Sequence, residues 1–144
     1  MENRNEVTVI FDSYSVNEGF ARMAAAAFVT EFNPTLDEIE DIKTAVSEAV
    51  TNAVIHGYED TVGKVHMSLS RRECELTVTV EDFGKGIADV EQAKQPFFTT
   101  KPELERSGMG FAFMEAFMDS VEVESAPGVG TKVTMKKSIG AEEA

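Results

Sequence analysis

Two runs of strict alternation, Val65-His66-Met67-Ser68-Leu69-Ser70 and Leu76-Thr77-Val78-Thr79-Val80-Glu81, stand either side of a short charged turn. Successive side chains of a strand point to opposite faces, so each run has one apolar face and one polar face. Joined this closely, the two predict an antiparallel hairpin, with Leu76, Val78 and Val80 facing one way and Thr77, Thr79 and Glu81 the other. A sheet with one apolar face has to bury it against a second layer, and that requirement shapes the rest of the chain. His66 lacks a second metal-type residue at ligand spacing and reads as a surface or edge histidine.

Upstream, Val7-Thr8-Val9-Ile10-Phe11 predicts a short strand by β-branched content. Ser15-Val16-Asn17-Glu18 has the form of a capping box, and the helix after it carries Val16, Phe20, Met23, Ala24, Ala27 and Phe28 as an expected buried stripe. Arg22 falls off that stripe, toward solvent or a partner. Pro34 ends the element, and a second capping box, Thr35-Leu36-Asp37-Glu38, starts another helix. Ile39, Ile42, Val46, Ala49 and Ala53 form its apolar stripe, while Glu48 and Asn52 share their side with Ala45 and His56. Small Ala45 is expected to leave room for an approaching group, and Gly57 to stop the helix.

Downstream, an irregular stretch runs from about Ala88 to Met109, long enough in so small a chain to predict a functional lid. A short apolar helix over Phe111–Met118 follows. Val121–Ser125 and Thr131–Lys136 make a second hairpin, and the tail after Ser138 is expected to be disordered. Strand, two helices, hairpin, lid, helix and hairpin predict an α+β fold, a two-layer α/β sandwich with a mostly antiparallel sheet. A doubly wound parallel sheet is disfavoured, because helices do not alternate with strands.

Length bounds the chain to one domain over residues 1–144. Acidic residues outnumber basic ones 26 to 13, which argues against a general nucleic-acid binder needing a basic footprint. The lone Cys74 makes no internal disulfide. The N-terminus is polar, and no apolar run approaches the roughly 20 residues of a membrane span, so a cytoplasmic location is expected.

Three features carry chemistry. Glu48 and Asn52 lie four residues apart, hence on one helix face. An Asn oxygen is a hard neutral ligand suited to Mg²⁺, and a Glu one turn away can orient or deprotonate the group that attacks a γ-phosphate. Asp82-Phe83-Gly84-Lys85-Gly86 sets a carboxylate before two glycines at a strand end, where it can accept from an exocyclic amine such as adenine N6. Arg106-Ser107-Gly108-Met109-Gly110 precedes a helix, so its glycines can present backbone N–H groups to phosphate, with Arg106 and Lys101 as cations. Neither a Walker A loop nor a dinucleotide fingerprint occurs. Taken singly, the three also read as a solvated helix face, a plain turn and a charged loop. Their order along the chain is what raises them.

In that order they resemble the N, G1 and G2 boxes of the GHKL (Bergerat) ATPase/kinase superfamily that includes gyrase, Hsp90, histidine kinases and MutL. Gly130-Thr131 resembles the late Gly-Thr of the same fold. Ser47–Tyr58 and Pro96–Phe111 are similar to the sporulation anti-sigma-F factors of Bacillus-like bacteria, and the likeness covers about residues 5–137. The resemblance implies a homodimer with two activities. One is binding and inhibition of sporulation sigma factor F. The other is ATP- and Mg²⁺-dependent phosphorylation of a serine on an anti-anti-sigma partner, releasing ADP. It implies Glu48 as catalytic base, Asn52 as Mg²⁺ ligand and Asp82 as the adenine reader. It also implies that Gly84 and Gly86 shape the pocket, with Thr131 in support. Thr99, Thr100, Lys101, Arg106, Gly108 and Gly110 would belong to the ATP lid, and Arg22 would contact a partner. Rival readings are a general-stress anti-sigma kinase with another sigma partner, an excised histidine-kinase catalytic domain, and a nucleotide-binding module without turnover. The histidine-kinase reading is disfavoured because no helical hairpin carries a phospho-accepting His.

Overall fold

The structure, a computed structural model, describes residues 4–90 and 110–140. Its elements are β1 (Arg4–Asp12), α1 (Asn17–Val29) with a 3₁₀ turn (Thr30–Phe32), and α2 (Leu36–Asn52) continued by a π-helical turn (Ala53–Gly57). Then come β2 (Lys64–Arg72), β3 (Glu75–Asp82), α3 (Gly110–Phe117), β4 (Ser120–Ala126) and β5 (Gly130–Ser138). All strand pairs are antiparallel, in the order β1-β2-β3-β5-β4. The helices cover one face, giving the expected α+β two-layer sandwich.

The alternation in β2 and β3 translates directly into packing. Val65, Met67 and Leu69 are buried, as are Leu76, Val78 and Val80, with Val133 and Met135 of β5 beside them. Against this face α2 lays Ile42, Val46, Ala49, Val50 and Ala53. The buried side of α2 is wider than a single stripe, because α2 also packs against α1 and α3. Ala45 is fully buried within that packing, so it is core rather than an opening for a ligand.

α1 departs further from expectation. It buries Ala21, Ala25, Phe28 and Val29, and leaves Val16 80%, Phe20 57% and Met23 57% exposed. Small residues face α2 because they permit close helix approach, and the bulky ones are turned outward. The anticipated capping box at Ser15 does not form. Helix α1 is preceded by Val16 without a side-chain cap, and the Glu18 carboxylate takes hydrogen bonds from Arg22 and Ser47 instead.

Other boundaries shift. β1 is longer than the predicted Val7–Phe11. β2 is an interior strand, so His66 is not at an edge; its ring meets Phe83 edge-on at 5.1 Å on the open face. Gly57 does not adopt the left-handed conformation of a helix stop. Ile139, placed in the expected disordered tail, is fully buried, and Gly140 N–H donates to Glu38 Oε2 at 3.2 Å. Residues 141–144 and the predicted lid residues 91–109 lie outside the described residues.

The second capping box is present in full. Thr35 Oγ1 accepts from Glu38 N–H at 3.1 Å, and Glu38 Oε1 accepts from Thr35 N–H at 2.9 Å. Thr35→Ala should therefore lower stability by about 1 kcal/mol, whereas Ser15→Ala should change it by less than about 0.5 kcal/mol. Urea denaturation of the two variants checks this, and equal losses would contradict the assignment of caps.

Candidate functional site

The site begins where α2 ends. Glu48 and Asn52 are half-buried on the last turns of α2. After Asn52 the backbone widens into the π turn, a local feature frequent at functional sites. This turn delivers Gly57 against the end of β3. Gly57 C=O accepts from Lys85 N–H at 2.9 Å. A Cβ on Gly57 would sit 2.7 Å from Asp82 Cγ, and one on Gly84 would sit 2.0 Å from Gly57 O. Only backbone fits at this junction, so the helix carrying Glu48 and the loop carrying Gly84 are interlocked.

Asp82 is the centre of that junction, at 3% exposure. Its Oδ1 accepts from Gly84 N–H at 2.9 Å. Burial raises its pKa above the ordinary carboxylate value; the Gly84 and Thr131 backbone N–H groups act in the opposite direction, and neighbouring Glu81 adds a small upward push. Asp82 faces Thr131 across the β3–β5 ladder.

The two sides of the loop are tied by hydroxyls that sequence reasoning did not single out. Ser125 Oγ accepts from Ile87 N–H at 2.7 Å, donates to Gly130 C=O at 3.0 Å, and lies 2.8 Å from Thr131 Oγ1. Tyr58 O–H donates to Lys64 C=O at 2.6 Å and accepts from Phe83 N–H at 2.8 Å. Tyr58 directly follows Gly57, which was a usable signal; nothing in the local pattern distinguished Ser125. Gly86, with φ of 79°, passes so close to β4 that a Cβ would lie 2.1 Å from Ala126 O.

Gly110, the first residue of α3, approaches the other end of the site: a Cβ there would lie 3.3 Å from Glu48 Oε1. Thus Asp82, Gly84 and Thr131 meet Gly57 at the β3–β5 end, Gly86 lies against β4, and Gly110 meets Glu48 farther back on α2, with Asn52 between the two contacts along the helix. Arg22 lies on α1, where its Nη1 is 2.9 Å from Glu18 Oε2. Thr99, Thr100, Lys101, Arg106 and Gly108 lie outside the described residues. Among the described residues, no group of three or more His, Cys, Asp or Glu side chains gathers to hold a metal. None of the described helices is long and apolar enough to cross a membrane.

Residues 15–137 match the family model of the histidine kinase-like ATPase domain. The chain is 50% identical over 142 residues to the anti-sigma F factor of Bacillus subtilis (strain 168), covering 98% of this chain and 97% of that one. It is 56% identical over 133 residues to the anti-sigma F factor of Clostridium kluyveri, covering 92% and 94% respectively. The fold is similar to a crystal structure of the RsbU and RsbW domains of a Mycobacterium tuberculosis protein, with a TM-score of 0.67 at 18% identity. That likeness spans 94% of this chain and 32% of the longer one.

The buried carboxylate makes a pH prediction. Because folding raises the Asp82 pKa, the protonated form favours the folded state. That contribution is complete below the unfolded-state pKa of about 3.9 and is lost as pH rises through the higher folded value. Asn at this position stays neutral. The stability of Asp82→Asn relative to wild type should therefore grow with pH across this range and level off above it. Urea denaturation of the nucleotide-free proteins between pH 4 and 7 measures the difference; a gap independent of pH would contradict it.

Proposed function

The chain belongs to the anti-sigma F factor family of histidine kinase-like ATPase domains, and from that premise we propose that it binds a sporulation sigma factor and phosphorylates an anti-anti-sigma protein on serine. The observation that carries the kinase half is the interlock of the Glu48–Asn52 helix with the buried Asp82 carboxylate, with Gly110 against Glu48. In this reading Asp82 is the hydrogen-bond acceptor at one end and Glu48 the base at the other, as a nucleotide and its acceptor need.

In this reading Asp82 accepts from the adenine amine, while Gly84 and Gly86 let the base approach the backbone and Thr131 braces the carboxylate's strand. Asn52 would hold a Mg²⁺ that arrives on the phosphates, because its side-chain oxygen is a hard neutral ligand. That ion would neutralise charge on the β- and γ-phosphates. Thr99, Thr100, Lys101, Arg106, Gly108 and Gly110 cover the phosphates. Glu48 accepts the proton of the partner's serine hydroxyl as its oxygen bonds to the γ-phosphorus. The bond from that phosphorus to the bridging oxygen breaks, and ADP leaves.

The anti-sigma half rests on α1. Val16, Phe20 and Met23 form an exposed apolar side next to Arg22, a combination suited to a protein partner. We place the sigma-factor contact there, with the active form a cytoplasmic homodimer.

The test is phosphoryl transfer from γ-labelled ATP, with Mg²⁺, to a candidate anti-anti-sigma protein. Glu48→Gln should lower phosphoserine formation at least about 100-fold while still binding ATP. Equal transfer by wild type and Glu48→Gln would remove Glu48 as the base.

A further inference from the structure

Three polar side chains stand in one row across the covered face of the sheet. Asp82 on β3 pairs with Thr131 on β5, and Thr131 pairs with Ser125 on β4. The next row along the same face, Val80, Val133 and Val123, is apolar and belongs to the core or packs against it. Asp82 and Thr131 are 3% and 4% exposed. The polar row is therefore held away from water at the end of an apolar face, where a hydrogen-bonding group left without a partner is costly.

The Ser125 hydroxyl decides the direction of its bond to Thr131. A serine oxygen has one proton and two acceptor positions. One acceptor position is taken by Ile87 N–H at 2.7 Å, and the proton goes to Gly130 C=O at 3.0 Å, since a carbonyl can only accept. What remains on Ser125 is an acceptor, so the 2.8 Å contact with Thr131 Oγ1 is a bond donated by Thr131. The Thr131 proton is thereby committed to Ser125, and its oxygen offers only lone pairs elsewhere. Beside the Asp82 carboxylate, this sets two acceptors on neighbouring strands.

We propose that Ser125 is a positioning residue that sets base specificity: by holding the Thr131 proton, it makes Asp82 and Thr131 an acceptor-only reader of an exocyclic amine. Such an amine carries two N–H bonds, one for Asp82 and one for Thr131. A carbonyl in the same place meets two acceptors and no donor, and is rejected. This rests on the reading of Asp82 as the adenine contact and extends it by one strand, to β4.

Calorimetric titration of ATP and inosine triphosphate, each with Mg²⁺, into wild type, Ser125→Ala, Ser125→Thr and Thr131→Val reads the ratio of the two affinities. In Ser125→Ala the Thr131 hydroxyl is free to turn and donate to the inosine carbonyl. The preference for ATP should therefore fall at least about threefold. A role confined to bracing the loop would weaken both nucleotides by the same factor; an unchanged ratio would overturn the proposal. Ser125→Thr keeps the hydroxyl and should keep the wild-type ratio, and a fall equal to that of Ser125→Ala would count against the proton-holding role. Thr131→Val leaves the Ser125 bonds to Ile87 and Gly130 in place, so it answers for Ser125→Ala should that variant not fold. It too should lower the preference at least about threefold, and an unchanged ratio there would equally overturn the proposal. A wild-type chain that binds both nucleotides equally would remove the adenine reading of Asp82 together with it. A wild-type preference that survives in Ser125→Ala and Thr131→Val would remove the Ser125 role alone.

Discussion

A carboxylate is held out of water at the end of β3 by the backbone of the helix that carries Glu48. Asp82, 3% exposed, is covered by Gly57, where no side chain fits. Each neighbouring feature answers to that contact. The π turn after Asn52 brings Gly57 into place, Gly84 clears the Gly57 carbonyl, and Gly86 turns the loop back toward β4. Ser125 and Tyr58 then lock the loop with hydroxyl bonds to both sides.

Such an arrangement opposes stability. A buried carboxylate loses hydration, and two backbone N–H groups offset only part of that loss, which is why its pKa rises. In the proposed function the carboxylate meets an exocyclic amine, whose N–H donates to it. The alanines of α1 allow close packing on α2, and its larger apolar residues face outward, on the side proposed to meet a partner.

The hairpin of β2 and β3 was legible because a period of two leaves only one way to sort its side chains. The α2 start was legible because the Thr35 and Glu38 pair is local chemistry. α1 was not, since a hydrophobic stripe assigns the largest residues to the core, and here the tight helix contact selected Ala21 and Ala25 instead. Glu18 had the spacing of a capping box but found stronger partners in Arg22 and in Ser47, a residue 29 positions away. Long-range preferences of this kind are invisible to local pattern. Among the site residues, the order of motifs pointed to Glu48, Asn52 and Asp82. The reason Gly57 is glycine lies in a contact with Asp82 that only the folded chain reveals.

Adenine recognition by Asp82 is the central claim, and titration calorimetry with ATP and inosine triphosphate tests it most directly. Inosine replaces the exocyclic amine by a carbonyl, which removes the donor and sets an acceptor against the carboxylate. Loss of a hydrogen bond to a charged group costs about 1.5–3 kcal/mol, so wild type should favour ATP at least about tenfold. Asp82→Asn should lose most of that preference. Equal affinity of the wild-type chain for the two nucleotides would contradict the account.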